Sequence, residues 1–392
     1  MDSDVVIIGG GPAGLSLARS LADAPLRVTV IERQPEAAIA APAYDGREIA
    51  LTHRSIGTMK ALGAWDLLPT EEISALNEAR VLNGASPFAL SFETSGHGGG
   101  PLSLMVPNHR IREALYRTVA DQPNLTLLAG TGVAAIRTDA RSAEVTLEDG
   151  RVLFARLLVA ADSRFSRVRE QLGIGAEINR LGRSMMVCRV RHEGDHQGVA
   201  TEWFDHHQTV AMLPLNGRRS SAVLTLPTEA MARIAALDEA ALGAELTRRY
   251  QGRLGRMEVD APAHVYPLAT TYARHFAATR AALIGDAAVG MHPVTAHGFN
   301  LGLQSQATLA QLVTDAARRG GDIAAPALLR RYELTHRLAS RPLYAATNFL
   351  VRLYTDERPG ARLARHATLR VGSRLPLARQ AITAMLMQRR TP

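Results

Sequence analysis

Residues 4–21, DVVIIGGGPAGLSLARSL, constrain the fold more than any other stretch of the chain. Val5–Ile8 is an unbroken apolar, β-branched run, the composition of a strand buried on both faces of a parallel sheet. Gly9, Gly11 and Gly14 follow as G-x-G-x-x-G, with Pro12 and Ala13 between them, and Pro12–Leu21 has helical spacing. Glycines at those offsets permit a tight turn, close backbone approach to a pyrophosphate and close helix–strand packing. The helix N-terminus adds free N–H groups and positive potential. Arg27–Ile31 reads as the next strand, ending at Glu32 and Arg33. A carboxylate at Glu32, ~20 residues after the glycines, is placed to accept the ribose hydroxyls of an adenosine. The triplet alone is a weak signal. Strand before, helix after and acid at that distance make a nucleotide-binding unit.

Composition removes several classes. The 392 residues suffice for one large domain or two interleaved ones, and 46 % apolar content is that of a globular protein. No apolar run approaches the ~18 residues of a membrane span, and the N-terminus lacks a basic leader, so a cytoplasmic chain is expected. Cys188 is the single cysteine, which excludes an intrachain disulfide and a cysteine-ligated metal. Net charge is +8, with Lys60 the only lysine. From Ala345 to Pro392 nine arginines oppose Asp356 and Glu357, so almost all of the excess lies in this tail, interspersed with apolar residues. Such a tail can lie on the inner membrane surface or on a partner protein, or pack on the body as a helical hairpin with solvated arginines. Nucleic acid is not expected, for want of a zinc finger, an RNP-like motif or stacking aromatics.

Two motifs point to chemistry that their context denies. His192-Glu193-Gly194-Asp195-His196 fits H-E-x-x-H, which binds zinc only when both histidines share a helical face. Here it follows the strand-like MMVCRVR and contains Gly194-Asp195, hairpin turn chemistry. No metal site is expected. His97-Gly98-Gly99-Gly100 resembles an esterase oxyanion loop, but no G-x-S-x-G elbow accompanies it. His206-His207 has no evident partner set and reads as a strand end.

From Ser184 to Leu226 the pattern is antiparallel: Met185–Val190, Val199–Phe204, Thr209–Pro214 and Ser220–Leu226, with short polar turns. Helical patterns follow at Thr228–Ala236 and Asp238–Tyr250. Strand character returns at Ala263–Pro267 and Ala281–Ile284, and Gln304–Ala317 is helical. The chain thus reads as a nucleotide domain carrying an inserted sheet domain. The expected division is 1–75, 106–180 and 267–340 for the FAD domain, 76–105 and 181–266 for the substrate sheet, and 341–392 for a basic helical region.

Two further segments decide the nucleotide. ARLLVAADSRFSRVR (155–169) runs from a buried strand into Asp162, Ser166 and Arg169. GDAAVGMHPVTAHGFNLGL (285–303) places glycines at a strand-to-helix junction. Together with GGGPAG they resemble the fingerprints of the FAD-dependent aromatic hydroxylases, an α/β family with the p-hydroxybenzoate-hydroxylase type of fold. That fold combines a Rossmann-type FAD domain with a parallel sheet, an inserted antiparallel substrate sheet and C-terminal helices. The resemblance implies that Asp286 bonds the ribityl chain of FAD. It also implies that Pro293, His297, Gly298, Asn300 and Leu301 lie along the flavin, the helix N-terminus aimed at its pyrimidine side. Asp45-Gly46-Arg47 and Val106-Pro107-Asn108 are similar to segments whose Arg47 and Asn108 would touch the cofactor. The stretch LRRYELTHRLASRPLYAATNFLVRLY is similar to the C-terminal helices of the ubiquinone-biosynthesis hydroxylases.

This sequence departs from that pattern at Asp162-Ser163 for Asp-Gly, Ala296-His297-Gly298 for G-Q-G, and Ser305 for an aspartate. These departures look like the branch that hydroxylates demethoxyubiquinol at the 5-position. The resemblance implies hydride delivery from NAD(P)H, or through a reductase, then a flavin C4a-hydroperoxide that hydroxylates a polyprenylated phenol or quinol with O₂. His297 is either a polar or proton-handling contact of the flavin or a loop histidine bonding backbone. Rival readings are a flavin reductase of the same fold and a non-catalytic FAD-binding scaffold. A halogenase is disfavoured because Trp65 and Trp203 are not paired in sequence.

Overall fold

A computed structural model describes residues 2–84, 89–93, 100–205 and 208–355. His97–Gly99, His206-His207 and the tail from residue 356 on lie outside the described residues. Two sheets organise the chain. In the first, Ser3–Ile8 pairs in parallel with Val28–Glu32 on one side and Val152–Ala160 on the other. Leu125–Ala129 extends one edge and Ala281–Leu283 the other. Val5, Val6 and Ile7 are completely buried in the main hydrophobic core, which also takes in Ile136, Val145 and Leu147 from the antiparallel strands Val133–Thr138 and Ala143–Leu147. Burying such side chains contributes roughly 1.5–3 kcal/mol each, which explains the apolar run at the N-terminus. The helix Pro12–Ser20 packs on this sheet beside the long helix Gly298–Arg318.

The second sheet has nine strands and is antiparallel except where Val199–Asp205 runs parallel to Glu78–Asn83. Its centre is the ladder of Gln208–Leu215, Arg219–Pro227, Ala176–His192 and His264–Ala273. Alternation along these strands separates two faces. Cys188, Trp203, Val210 and Leu224 point to one face, under the helices Thr228–Ala235 and Glu239–Arg249. Trp203 meets Tyr250 there at 6.4 Å between ring centroids. The other face looks to the nucleotide domain.

A small three-stranded sheet, unread in the sequence, lies between the two. Ser103–Pro107 is its centre, flanked by Glu48–Leu51 and Ser74–Leu76. Its Leu76 and Met105 pack on Ala200 and Leu215 of the large sheet.

The expected seams at 75, 105, 180, 266 and 340 lie within secondary-structure elements: Ser74–Leu76, Ser103–Pro107, Ala176–His192, His264–Ala273 and the helix Pro326–Thr355. The chain crosses between domains on continuous strands, so no linker composition marks the crossing. Residues 176–187 of the long strand Ala176–His192 pair with His264–Ala273, with a register shift between Arg180 and Ser184 that bends the ribbon from one domain to the other. Pro342 removes one backbone donor from the last helix without ending it.

Candidate FAD and substrate site

The three cofactor-like segments converge at the C-terminal edge of the parallel sheet. Gly9 has φ +116°, and a Cβ there would stand 2.4 Å from the Ala161 carbonyl oxygen. A Cβ on Gly14 would stand 1.9 Å from the Gly9 carbonyl oxygen. These two glycines are required by the fold. Gly11 is different, since a Cβ there would meet nothing within 4 Å, although it caps a helix with no side-chain partner. The open space above Gly11 and the first-turn N–H groups are the cradle a pyrophosphate needs. Glu32 is fixed beside it, accepting from the Gly10 N–H (2.7 Å) and the Gln34 N–H (2.8 Å). Arg33, expected at the cofactor, makes an exposed ion pair with Glu148 at 3.3 Å.

The second and third segments are tied together by arginines. Arg164 donates to Asp286 Oδ2 (3.0 Å) and to the Ala269 carbonyl (3.0 Å). The buried Arg169 donates to the Ala287 carbonyl at 3.0 Å, and Ser166 caps the helix Arg167–Gln171 through the Arg169 N–H. Asp162 is accessible at its rim but crowded by protein, and that desolvation pushes its carboxyl up. Ser305, the departure from aspartate, accepts from the Gly285 N–H (3.1 Å) and donates to the Gly302 carbonyl (2.7 Å). It thereby clamps the loop onto the long helix.

On the loop itself, Pro293 is exposed and His297, the residue before the first turn of Gly298–Arg318, is buried. Ala296, in the place of a usual glycine, holds φ +53°, a left-handed conformation that costs an L-residue roughly 1 kcal/mol. A Cβ on Gly298 would find no atom nearer than 3.9 Å, so the protein itself does not demand this glycine. The side chains of Asn300 and Leu301 are engaged within the protein. Asn300 accepts from the Thr52 N–H and donates to the Ala50 and Ala296 carbonyls, all backbone groups needing partners. Leu301 is turned into the core. Sequence reasoning missed His292, whose Nδ1 accepts from the Val294 N–H at 3.2 Å. Burial, then Arg183 and Arg164, lower its pKa to about 4, so its imidazole is neutral at neutral pH.

Asp45 is the pivot of the remaining contacts. Its Oδ2 accepts from Arg47 Nη2 (2.6 Å) and Asn108 Nδ2 (2.7 Å), and its carbonyl accepts from Tyr266 Oη (2.7 Å). Arg47 lies over the Tyr266 ring, 5.5 Å from its centroid. Burial pushes the Asp45 carboxyl up, but Arg47 and Asn108 outweigh it and hold the group below its ordinary range. Next to Arg47 the sequence hid a second pair. Glu48, whose side chain is 1 % exposed, accepts from Arg189 of the large sheet at 2.7 Å. Burial nevertheless pushes its carboxyl up to about 7 against the pull of Arg189.

The H-E-x-x-H run is a hairpin. His192 bonds Gly194 O and Ser220 Oγ at 3.0 Å each, and His196 bonds Leu215 O at 2.8 Å. Among the described residues no cluster of three metal-ligating side chains occurs.

A family profile described as FAD binding domain matches residues 2–345. A ubiquinone hydroxylase, UbiM, of Neisseria meningitidis is 45 % identical over 390 residues, 98 % of this chain and 85 % of that protein. The chain belongs to the FAD-binding ubiquinone hydroxylases. Another of these hydroxylases, UbiL of Rhodospirillum rubrum, is 38 % identical over 96 % of this chain and 88 % of its own. The p-nitrophenol 4-monooxygenase PnpA of Pseudomonas putida DLL-E4 superposes with a TM-score of 0.78 at 18 % identity, covering 99 % of both chains. That likeness fixes the p-hydroxybenzoate-hydroxylase-like fold. As a ubiquinone hydroxylase the chain is an FAD-dependent monooxygenase. The open space over Gly11 and Gly298 and the anchored Glu32 fit that cofactor.

Proposed function

We propose that this flavoprotein hydroxylates the aromatic ring of a polyprenylated phenol or quinol on the way to ubiquinone, the reaction being demethoxyubiquinol 5-hydroxylation. NAD(P)H is the proposed electron source and O₂ the oxygen source. The observation that carries this reading is the near full-length identity to a ubiquinone hydroxylase. Bound FAD supplies the redox chemistry and the activation of O₂. The chain's own residues do the rest. The Gly9–Gly14 turn and the helix behind it receive the pyrophosphate, and Glu32 receives the ribose. Asp286, steadied by Arg164, meets the ribityl hydroxyls, and Asp45 aims Arg47 and Asn108 at the cofactor. His297 is the proposed polar contact beside the ring system, and the neutral His292 holds the loop turn without adding charge. The tail after residue 345 is the proposed docking segment, seating the protein on the cytoplasmic face of the inner membrane or on a partner that presents the lipid-tailed substrate.

The test is aerobic turnover of the purified FAD-loaded protein with NAD(P)H, ¹⁸O₂ and a short-chain demethoxyubiquinol analogue. Hydroxylated product carrying ¹⁸O supports the reading. Consumption of NAD(P)H with no labelled product would shift the assignment to a reductase of the same fold.

A further inference from the structure

We infer that Glu202, on the floor of the large sheet, receives the ring hydroxyl of the substrate and selects for it. The inference rests on the phenol or quinol reading above and deepens it. Residues of Val199–Asp205 alternate between faces, and Trp203 belongs to the helix-covered core. Glu202 therefore points to the face that looks toward the nucleotide domain. The register continues its row across the sheet through Ala211, Val223 and Val187 to His264. Val187 is where the flavin-facing loop touches down, since a Cβ on Gly46 would stand 2.8 Å from Val187 Cγ2. Two residues along, Ala200 and Leu213 already pack with Leu76 and Met105 of the small sheet. On the other side, the row Phe204, Thr209, Thr225 and Met185 ends at Tyr266, beneath Arg47. Glu202 thus stands between the small sheet and the Arg47 loop, on a row whose nearest members Ala211, Val223 and Val187 are apolar.

A carboxyl in that place has no structural employment. No hydrogen-bond donor or cation among the described residues reaches it, and its register neighbours Val81 and Ala211 are apolar. Glu202 keeps a little accessible surface, whereas the unsatisfied oxygen of Glu48 is fully enclosed. Burial alone pushes its carboxyl up to about 8, with no charged neighbour contributing. At neutral pH it is a neutral acid that can accept one hydrogen bond and donate another. An unpaired polar group in an apolar pocket disfavours ligands that leave it unpaired, so it discriminates a hydroxyl from an ether more strongly than apolar contacts can.

The experiment compares the full-length FAD-loaded wild type with E202Q, E202L and E202A. Substrates are a short-chain demethoxyubiquinol analogue and the same compound with one of its two ring hydroxyls methylated, each monomethyl ether in turn. Removing the carboxyl in E202L should lower kcat/KM for the hydroxyl compound roughly 10- to 100-fold while leaving the ether blocked at the hydroxyl that Glu202 receives nearly unchanged. E202Q, which keeps an acceptor of the same shape, should recover most of the preference. E202A repeats the test without added bulk if E202L loses its flavin spectrum. A hydroxyl-to-ether ratio equal to wild type for both ethers in the apolar variants overturns the inference. A wild type that turns over none of these compounds overturns the substrate reading instead. The ratio of Kd values for the hydroxyl compound and each ether, read from the flavin absorbance, then decides the role of Glu202 without turnover.

Discussion

At the scale of single residues, the glycines of the first turn divide by what stands where a side chain would go. Gly14→Ala drives a Cβ into the Gly9 carbonyl and should cost the fold about 3 kcal/mol or more, measured as a fall in chemical stability with or without FAD. Gly11→Ala meets no protein atom and should change apoprotein stability by less than about 1 kcal/mol. It should still weaken FAD retention tenfold or more. Equal FAD affinity in Gly11→Ala and wild type would remove the pyrophosphate from that space. His297→Ala should keep the flavin but uncouple NAD(P)H consumption from product. Full coupling in that variant would make His297 a loop histidine only. The glycine motif was legible because its members are near neighbours in sequence. The Arg164–Asp286 bond spans 122 positions and the Glu48–Arg189 bond 141, and nothing local to either partner announces them.

At the scale of elements, Glu48–Leu51 is the strand on which two domains meet. Its neighbour Arg47 bonds Asp45 and its Glu48 locks onto Arg189 of the large sheet. Glu48 has a folded pKa of about 7 against an ordinary 4.5, so the native state binds its proton more tightly than the unfolded chain. Its contribution to stability is therefore fully present below pH 4.5 and is lost as pH rises through 7. Glu48→Gln lacks that titration. Relative to wild type, its stability should rise between pH 4.5 and pH 8, read as the difference in Tm at the two ends of that window. A constant difference would place the Glu48 carboxyl in its ordinary range. Val199–Asp205, Gln208–Leu215, Arg219–Pro227 and the two helices on the large sheet were readable from alternation and spacing within a residue or two, whereas Ala176–His192 and His264–Ala273 were read only in part, as Met185–Val190 and Ala263–Pro267. The small sheet was not. Ser74–Leu76 is three residues long and Glu48–Leu51 four, too short for a period to show, and their pairing depends on Ser103–Pro107 from elsewhere in the chain.

For the whole molecule, the charge of +8 is concentrated where the described fold ends. Among the described residues no helix is long and apolar enough to cross a membrane. The docking proposed above for the arginine-rich tail would draw about 1 kcal/mol from each near-surface cation at an anionic leaflet. Truncation after Arg358 should lower association with anionic liposomes, and more steeply at low ionic strength, while the flavin spectrum persists. Unchanged association in a folded truncate would leave the tail with no docking role. The domain plan was visible in the order of strand types along the chain. Its seams were not, because the ribbon of Ala176–His192 and His264–Ala273 carries register straight through them.

Cys188 lies in that same strand, on the face sealed by Thr228–Ala235 and Glu239–Arg249. It has no accessible surface, and burial pushes its thiol up to about 11. At neutral pH thiolate is then scarcer than about one part in a thousand, and reagent cannot reach it in the folded state. Alkylation of this sulfur is a stopwatch for separation of the sheet from its two helices. The same seclusion keeps the chain's one thiol out of reach of the reduced oxygen that a monooxygenase leaks when its turnover misfires.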